Sequence, residues 1–444
     1  MFRRSRRLTV TRRRAMLRVS MVQARPGMVL AMAIYHPKRH GTLLLKAGVE
    51  LDARTIMRLR EIRCPELWIR YPKLDFIADI VNPEVFKARA EITAQIAEAF
   101  DEITRHSAAV LDYAAYRRAI VGLLDKLTDH PKAALFVSEM VDLDQPALRH
   151  ASNVCFLCLL MGIRLDFYLV RERHRLDPTK ARDVTSLGVA AMLHDVGMLR
   201  MDPKTVERWN QSHDESDPGW REHVRVGYEL IRGGVDPSAA AAVLHHHQRF
   251  DGSGFPRRRT LSGETMALRG SGIHVFARLI AVADLFDRLR HPESATLERA
   301  DEGEYQPMPV VRTLHAMLHK PYRQWIDPVI FKALLAVAPA YAPGTIVRLS
   351  DGSRGVVSAF TPTDPCRPSV MRLPDTDDSL VAGALDDEAE AEVMDLTKTR
   401  GLEIAEADGQ DVRPYNFYPS HSGEFDLAAT GRSMIRGSGN VHAA

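Results

Sequence analysis

Histidine and aspartate residues recur along the middle of the chain at positions that a metal centre could use. These residues are His150, His194, Asp195, His223, His246, His247 and Asp284. Asp195 ends an apolar stretch and Asp284 lies within another, where an ionised carboxylate is costly to bury unless a cation compensates it. Mixed nitrogen and oxygen ligands suit iron, manganese, zinc or nickel better than calcium. Two such ions side by side can clamp phosphoryl oxygens, so the set indicates phosphoester hydrolysis.

Each of these residues also has an ordinary structural interpretation. A His-Asp dipeptide is usually structural, and His150 or His223 alone could be a core or surface histidine. The consecutive histidines at 245–247 could be an incidental cluster. Asp284 could cap a helix or pair with an arginine such as Arg278. The order and spacing of the whole set favour the metal centre over these separate explanations.

The series resembles the HD-GYP family, the cyclic-di-GMP phosphodiesterase branch of the HD hydrolases. Residues 191–197, which contain His194 and Asp195, are similar to the family's His-Asp signature, and 246–256 are similar to its long second motif. Residues 150–154 resemble the helix with the family's first histidine, and 277–284 resemble the helix with its last metal-binding aspartate. The resemblance covers the chain from about residue 135 to residue 340 and implies a helical HD-type domain.

The resemblance also implies a site for iron or manganese with two or three ions. One ion would be held by His150, His194, Asp195 and Asp284, and the other by His223, His246, His247 and the bridging Asp195. Family members with three ions carry a glutamate one helical turn before the first histidine, where this chain has Pro146. We therefore expect two divalent ions, iron or manganese first, with nickel, zinc or magnesium as alternatives. Asp195, His223 and His246 are the expected catalytic residues.

The family's substrate-binding and supporting positions can be carried over as well. Substrate contacts fall on Met198, Arg249, Gly254 and Phe255, and support of the ligands falls on Asp251, Arg278 and Asp287. Several positions depart from the family pattern. Met198 replaces a lysine that contacts phosphate, Gln248 replaces a glutamate, and Phe255 replaces the tyrosine of Gly-Tyr-Pro but keeps a ring for base stacking. Glu293 lies near the place of an expected arginine, for which Arg288 or Arg290 could substitute.

The expected function is hydrolysis of cyclic-di-GMP to linear pGpG, to GMP or to both, by a hydroxide that two metal ions activate. Losing one charged phosphate contact costs about 1.5–3 kcal/mol, which weakens an enzyme without abolishing it. The alternative is a weak or inactive sensor or adaptor that binds a nucleotide or a protein partner. A third possibility is an HD hydrolase for another phosphoester. A regulatory protein or a second copy of the chain is a further possible partner.

Charge and composition limit the remaining functions. The chain has 444 residues, 60 Lys and Arg, 57 Asp and Glu, and a net charge of +3. Eight arginines lie in the first 18 residues, so the rest of the chain has a net charge of −5 and is not expected to bind DNA. The longest apolar run, 154–163, is too short to span a membrane. Four cysteines give no disulfide framework, and with no secretory signal a cytoplasmic protein is expected. Cys155 and Cys158 have redox-motif spacing but are expected to be buried thiols.

The elements that must position the metal ligands are mainly helices. The pattern predicts a mainly α protein, with a helical HD-type metallohydrolase domain between a small N-terminal α/β domain and a small C-terminal β-barrel. The predicted parts are a basic flexible arm at 1–19, the α/β domain at 20–72, connecting helices at 80–130, the catalytic domain at 131–341, the β-barrel at 343–405 and a disordered tail at 406–444.

Overall fold

The structure is a computed structural model that describes most of the chain. The described residues are 16–21, 23–35, 43–62, 64, 66–71, 74, 77–106, 108–135, 145–259, 262–291, 307–376, 381, 392–407 and 409–439. Residues 1–15 of the predicted basic arm and Glu293 lie outside them.

Helices make up most of the described structure. The α-helices are α1 (Ala53–Glu61), α2 (Ile77–Ile80), α3 (Pro83–Arg105), α4 (Tyr113–Asp129), α5 (Pro146–Arg164), α6 (Asp166–Glu172), α7 (Pro178–Ala181), α8 (Thr185–Met192), α9 (Pro203–Ser212), α10 (Pro218–Arg221), α11 (His223–Ile231), α12 (Pro237–His245), α13 (Val275–Arg290), α14 (Val310–Met317), α15 (Tyr322–Trp325), α16 (Pro328–Val337) and α17 (Leu427–Gly439). Short 3₁₀ helices span Pro131–Ala133, Val196–Arg200, Gly270–Gly272 and Arg413–Tyr415.

The strands lie near the two ends of the chain and in one short hairpin. They are β1 (Met16–Ser20), β2 (Ile34–Tyr35), β3 (Leu43–Leu45), β4 (Glu66–Arg70), β5 (Arg258–Arg259), β6 (Thr265–Met266), β7 (Ile346–Leu349), β8 (Arg354–Ala359), β9 (Ser369–Arg372), β10 (Val393–Asp395), β11 (Ile404–Ala407) and β12 (Gln410–Asp411). The predicted fold class is confirmed: a helical HD-type domain is flanked by a small N-terminal unit and a C-terminal sheet.

Many of the helices begin with the same two-residue pattern. An Asp or Asn side chain accepts a hydrogen bond from the first helical turn, and a proline follows it at the first helical position. The pattern occurs at Asn82-Pro83, Asp177-Pro178, Asp202-Pro203, Asp217-Pro218, Asp236-Pro237 and Asp327-Pro328. These caps fix where α9, α10 and α12 begin, and so fix the helices before and after α11, which begins at His223.

Helix α5 is the centre of the helical core. It packs against α3, α8, α13 and α16, and nearly every residue from Ala151 to Gly162 is buried. Within the described residues it is the one helix long and apolar enough to cross a membrane, and 72% of its most apolar window is buried inside the fold. Its first turns carry His150 to the metal ligands on the neighbouring helices.

A buried ion-pair cluster ties α13 to α6 and α16. Arg278 is 3% exposed and donates to Asp327 Oδ2 at 2.6 Å and to the hydroxyl of Tyr168 at 2.7 Å. It also pairs with Glu172. None of these partners is a predicted metal ligand, so the prediction that Arg278 supports the ligands is wrong. Its guanidinium instead satisfies carboxylates that helix packing has buried.

The six-stranded C-terminal sheet lies between two hydrophobic cores. Its strands are antiparallel neighbours in the order β10-β9-β8-β7-β11-β12. Successive side chains of a strand point to opposite faces. In β8, Val357 packs into the core of the helical domain, whereas Val356 packs into the core of the N-terminal unit. Val370 and Met371 of β9 divide in the same way, so the sheet connects both units.

Two predictions at the chain ends are wrong for described residues. Residues 16–19 were assigned to the flexible arm but belong to β1, which pairs with β4 and buries Leu17. The segment 406–444 was expected to be disordered but contains β12 and α17. Phe417 and Phe425 are buried there and meet edge to face at 5.8 Å. Low apolar content misled the prediction, because a few large apolar side chains are enough to dock this segment.

Candidate metal centre

Five elements of the helical domain bring the seven predicted ligands together. His150 comes from α5, His194 and Asp195 from the turn after α8, His223 from the start of α11, His246 and His247 from the end of α12, and Asp284 from α13. They form two groups in which the ligand atoms all lie within 4.8 Å of one another. The groups are Asp195, His223, His246 and His247, and His150, His194 and Asp284. Each group could hold a divalent metal ion.

The carboxylate of Asp195 lies between the two groups. Its Oδ1 is 3.5 Å from Nε2 of His223 and 3.3 Å from Nε2 of His246. Its Oδ2 is 3.5 Å from Nε2 of His194 and 3.8 Å from Nε2 of His150. One oxygen therefore faces each group, which is the arrangement of a carboxylate that bridges two ions.

Local backbone geometry fixes the tautomers of three histidines. Each places Nδ1 on the carbonyl oxygen of the residue three positions earlier, at 2.9 Å for His194, 2.6 Å for His223 and 2.7 Å for His246. A carbonyl can only accept, so Nδ1 carries the hydrogen and Nε2 carries a lone pair. This is the usual second hydrogen bond of a metal-binding histidine.

The Nε2 lone pairs meet one another inside the protein. Nε2 of His223 lies 3.4 Å from Nε2 of His246, and Nε2 of His194 lies 3.2 Å from Nε2 of His150. Nε2 of His247 is buried without a hydrogen-bond partner. The facing acceptors of His223 and His246 repel each other, and a buried acceptor without a donor is costly. A cation between them removes both penalties, so the residues fit a pair of metal ions.

The charge states of His194, His223 and Asp195 already suit a metal centre, whereas His150 must lose a proton when a metal binds. Burial lowers the pKa of His194 and of His223 to about 4, so both are neutral at neutral pH. Burial alone would raise the pKa of the Asp195 carboxyl, but the surrounding histidines hold it well below its usual range. Burial lowers the pKa of His150, but bonds to Asp284 and Asp287 outweigh it and raise that pKa to about 10. Metal ligands must be neutral histidines and ionised carboxylates.

His150 is held from behind by a chain of buried polar groups. Its Nδ1 donates to Oδ2 of Asp287 at 2.7 Å, and Nδ2 of Asn153 donates to the other carboxylate oxygen at 2.7 Å. Oδ1 of Asn153 in turn accepts from Arg89 at 2.6 Å. This chain orients the His150 ring and leaves its Nε2 directed at His194 and Asp284.

Comparisons with known proteins point to one family. A family model described as "HD domain" matches residues 138–302. "Cyclic di-GMP phosphodiesterase PA4108" of Pseudomonas aeruginosa is 26% identical over 344 residues, covering 70% of this chain and 74% of that protein. "Cyclic di-GMP phosphodiesterase response regulator RpfG" of Xanthomonas campestris pv. campestris is 33% identical over 110 residues, 24% of this chain and 27% of that protein. The chain contains an HD domain, and these relatives support its assignment to the HD-GYP family.

Two further proteins are similar to this chain. "3'3'-cGAMP-specific phosphodiesterase 2" of Vibrio cholerae is 28% identical over 103 residues, 22% of this chain and 18% of that protein. A solved structure titled "Bd1817, a HDG"Y"P protein from Bdellovibrio bacteriovorus" has 15% identity and a TM-score of 0.39, covering 72% of this chain and 99% of that one. That structural likeness is too low to carry an argument. The chain spans only about a quarter of the RpfG-type relative it matches.

The second HD-GYP motif does not present its aromatic ring to solvent. Phe255 is 8% exposed and stacks on His247, with ring centroids 4.9 Å apart and planes inclined by 20°. It also meets Trp220 edge to face at 5.5 Å. This conformation does not present the ring to a substrate base, and stacking of Phe255 on the substrate stays a prediction. The ring instead packs against a ligand histidine, a role that the loss of the tyrosine hydroxyl leaves intact.

Two other residues of the motif also act within the loop. A Cβ at Gly254 would overlap the backbone of His247 and Arg249, so glycine lets the loop lie against the histidine pair. The carboxylate of Asp251 is exposed and accepts from the backbone N and the Oγ of Ser253, at 2.8 and 2.7 Å. Neither contact reaches a metal ligand among the described residues, so the predicted support by Asp251 is wrong. The motif singled out Gly254 and Asp251, but it did not show which atoms they contact.

A glycine in the first HD-GYP motif joins the two halves of the centre. The 3₁₀ helix Val196–Arg200, which follows Asp195, packs closely on α11. A Cβ at Gly197 would overlap the carbonyl oxygen of His223, and Gly227 lies directly beneath it. Close backbone approach at this point brings Asp195 and His223 within reach of one ion.

Four of the seven candidate ligands, His150, Asp195, His247 and Asp284, line a cleft with a volume of about 1370 Å³. Met198, Arg249 and Arg288 line it, the first two as predicted substrate contacts. Arg288 donates to Oδ2 of Asp284 at 2.8 Å. Burial alone would lower the pKa of Arg288, but nearby carboxylates, Asp284 first among them, outweigh it and raise that pKa. Of the two arginines expected as substitutes for the one missing from the HD-GYP pattern, Arg288 lines the cleft, whereas Arg290 donates to the carbonyl of Met308.

Sequence reasoning missed three cleft residues. Trp209 and Trp220 stack with ring centroids 3.9 Å apart and planes inclined by 7°. Glu215, in the loop between them, pairs with both Arg249 and Arg288. The pair of tryptophans 11 positions apart was visible in the sequence, but no local pattern distinguishes Glu215 from any other acid in a polar loop.

Proposed function

We propose that this HD-GYP protein is a metal-dependent phosphodiesterase that hydrolyses cyclic-di-GMP to linear pGpG, to GMP or to both. The observation that carries the proposal is the Asp195 carboxylate, whose two oxygens face two ligand groups beside an open cleft. The relatives named cyclic di-GMP phosphodiesterases support the choice of substrate. The proposal includes iron or manganese as the metals, residues 131–341 as the catalytic unit and a cytoplasmic location.

Two divalent ions bound to these groups would supply Lewis acids for the phosphoryl oxygens and a nucleophilic hydroxide at neutral pH. The chain itself contributes fixed geometry. Asp195, His223 and His246 are the proposed catalytic residues, because they surround the point where the two groups meet. Asp287 holds His150 in the correct tautomer, and the guanidinium groups in the cleft supply positive charge for phosphate.

The direct test is turnover by protein loaded with Mn(II) or Fe(II). Purified wild type is incubated with cyclic-di-GMP, and pGpG and GMP are separated by anion-exchange chromatography. We expect cleavage by wild type and none by the variant that combines His194→Ala with Asp195→Ala, which should also lose metal. Metal-loaded wild type that leaves cyclic-di-GMP intact refutes the proposal, and unchanged metal content in the double variant refutes the ligand assignment.

Two observations favour a second candidate, a sensor that binds nucleotide without turnover. Met198 faces the cleft where the family has a phosphate-binding lysine, and Glu215 already neutralises two arginines there. Such a protein would bind metal and nucleotide, and the nucleotide would be recovered unchanged after long incubation. A panel that includes 3'3'-cGAMP and linear dinucleotides also separates both candidates from a hydrolase for another phosphoester.

Met198→Lys tests the weakened phosphate site. Met198 is half-buried at the cleft and packs near Trp209 and Trp220, from where a lysine stem could extend its ammonium group towards solvent. Restoring one charged contact should raise kcat/KM for cyclic-di-GMP by about 10- to 100-fold. Met198→Leu, which conserves volume, should leave it unchanged. Equal kinetics for the Lys and Leu variants would show that position 198 does not contact phosphate.

A further inference from the structure

The loop between α9 and α10 lines the cleft, and side-chain contacts hold its two ends together. Trp209, in α9, stacks on Trp220, in α10, and Arg208 pairs with Asp217 at 3.1 Å. His213 begins the loop with a left-handed backbone (φ 50°). The two ends of the loop are therefore held together, while Asp214 and Glu215 at its tip line the cleft that holds the candidate ligands.

At the tip of this loop, Glu215 makes two separate ion pairs. Its Oε2 accepts from Nη2 of Arg249 at 2.5 Å, and its Oε1 accepts from Nη1 of Arg288 at 2.9 Å. The three side chains are 25%, 23% and 27% exposed, so the pairs are accessible from the cleft. Two oxygens of one anion thus lie between two guanidinium groups. A phosphodiester presents the same pattern with its two non-bridging oxygens.

Both arginines keep other partners that do not involve Glu215. Arg288 also donates to Oδ2 of the metal ligand Asp284 at 2.8 Å. The guanidinium carbon of Arg249 lies 3.3 Å from the centre of the Trp325 ring, a cation–π contact. The guanidinium groups therefore stay in place when the glutamate leaves. Rotation of one side chain, without opening of the loop, would expose them to an incoming anion.

We propose that Glu215 is an internal competitor for substrate phosphate. It occupies the site that Arg249 and Arg288 form, and a phosphate group of the substrate must displace it to bind beside the metal ligands. The inference rests on the proposed function in taking a cyclic dinucleotide as the substrate. It assigns Glu215 a positioning role that weakens binding, rather than a part in the chemistry.

The test compares Glu215→Gln with a matched variant of the next residue along the loop. Asp214 also lines the cleft, but its carboxylate accepts from the backbone N of Ser216 at 2.8 Å, a bond that asparagine can keep. Wild type, Glu215→Gln, Asp214→Asn and the double variant Glu215→Gln/Arg249→Gln are loaded with Mn(II). The dissociation constant for GMP is measured by calorimetry, and KM and kcat are measured with cyclic-di-GMP.

We expect Glu215→Gln to bind GMP about 10- to 100-fold more tightly, the range for a charged hydrogen bond gained. KM should fall while kcat changes less, and the double variant should lose the gain. Asp214→Asn should stay close to wild type. Unchanged or weaker GMP binding in Glu215→Gln, or an equal gain in Asp214→Asn, overturns the inference. A wild type that leaves cyclic-di-GMP intact refutes the proposed function alone, because tighter GMP binding by Glu215→Gln would still support the competitor role.

Discussion

Asp287→Asn tests whether the polar chain behind His150 determines the strength of one metal site and not the other. The Asp287 carboxylate accepts two hydrogen bonds, from Nδ1 of His150 and from Nδ2 of Asn153, both at 2.7 Å. An asparagine at 287 has the same size but only one acceptor oxygen. Its amide NH₂ would then face a second donor, so one of the two bonds is lost and the charge behind His150 disappears.

The expected loss follows from the position of Asp287 one bond behind a ligand. Removing such an outer partner lowers metal affinity by about 10- to 100-fold, which corresponds to about 1.4–2.8 kcal/mol. The effect should fall on the group of His150, His194 and Asp284. The group that includes His247 has no contact with Asp287 among the described residues, so its affinity should stay at the wild-type value.

The assay is a calorimetric titration of metal-free protein with Mn(II), with bound metal per chain measured by mass spectrometry after dialysis. We expect two sites in wild type, and one unchanged and one weakened site in Asp287→Asn. Asp251→Asn is the comparison, because sequence reasoning gave both residues the same role but the structure places Asp251 in an exposed turn. The reasoning is refuted if both sites of Asp287→Asn weaken equally, if neither weakens, or if Asp251→Asn gives the same result.

Three further substitutions test the fold around the site. Gly197→Ala should lower the free energy of unfolding, measured in urea, by about 3 kcal/mol or more, because the new Cβ would overlap the carbonyl of His223. The control is Gly233→Ala, whose new Cβ would meet no atom within 4 Å. It should change the free energy of unfolding by less than about 1 kcal/mol. Arg278→Met should cost about 3–5 kcal/mol without changing the metal bound per folded chain. His274→Asn should reduce the acid sensitivity of stability by about 1–2 kcal/mol between pH 7 and pH 4.5.

The sign of the His274 effect follows from its environment. Burial, with help from Arg173 and Arg278, lowers the pKa of His274 from 6.5 to about 4. Between these values the unfolded chain binds more protons than the folded one, so wild-type stability falls as the pH falls. Asparagine keeps an acceptor for the backbone N–H of Phe276, which His274 Nδ1 accepts at 3.2 Å, but does not titrate. Equal pH dependence of stability in wild type and His274→Asn would contradict this reasoning. A metal site lost in Arg278→Met, or equal destabilisation by Gly197→Ala and Gly233→Ala, would contradict the other two expectations.

The sequence was sufficient to predict seven candidate ligands because metal chemistry restricts residue type and because their order along the chain resembles one family. The structure brings all seven together. It also shows why a histidine can serve at 194, 223 and 246: each ring bonds the carbonyl three residues earlier, which is a local property of a helical turn. Such local features can be predicted once the helix ends are known, and the Asp-Pro caps mark several of those ends.

Contacts between distant segments could not be predicted in this way. Arg278 has the spacing of a residue near Asp284, yet its partner Asp327 lies 49 positions away and draws its side chain into the helix packing. Glu215 and Arg288 are 73 positions apart. Phe255 belongs to a motif associated with substrate, but the ring packs inward against His247. Composition could not show that residues 410–436 dock on the domain, because docking depends on where a few aromatic side chains land.

The charges of the cleft connect the metal centre with anion binding. Five carboxylates and three guanidinium groups line it, which gives a formal charge of −2 with neutral histidines, or −1 in the metal-free protein when His150 is protonated. A cyclic dinucleotide carries two negative charges and would be repelled by such a cleft at low ionic strength. Two divalent ions would change the charge to +2. The same ions that activate the nucleophile would therefore also make the cleft attractive to substrate. Glu215 would still weaken phosphate binding, because it competes for Arg249 and Arg288.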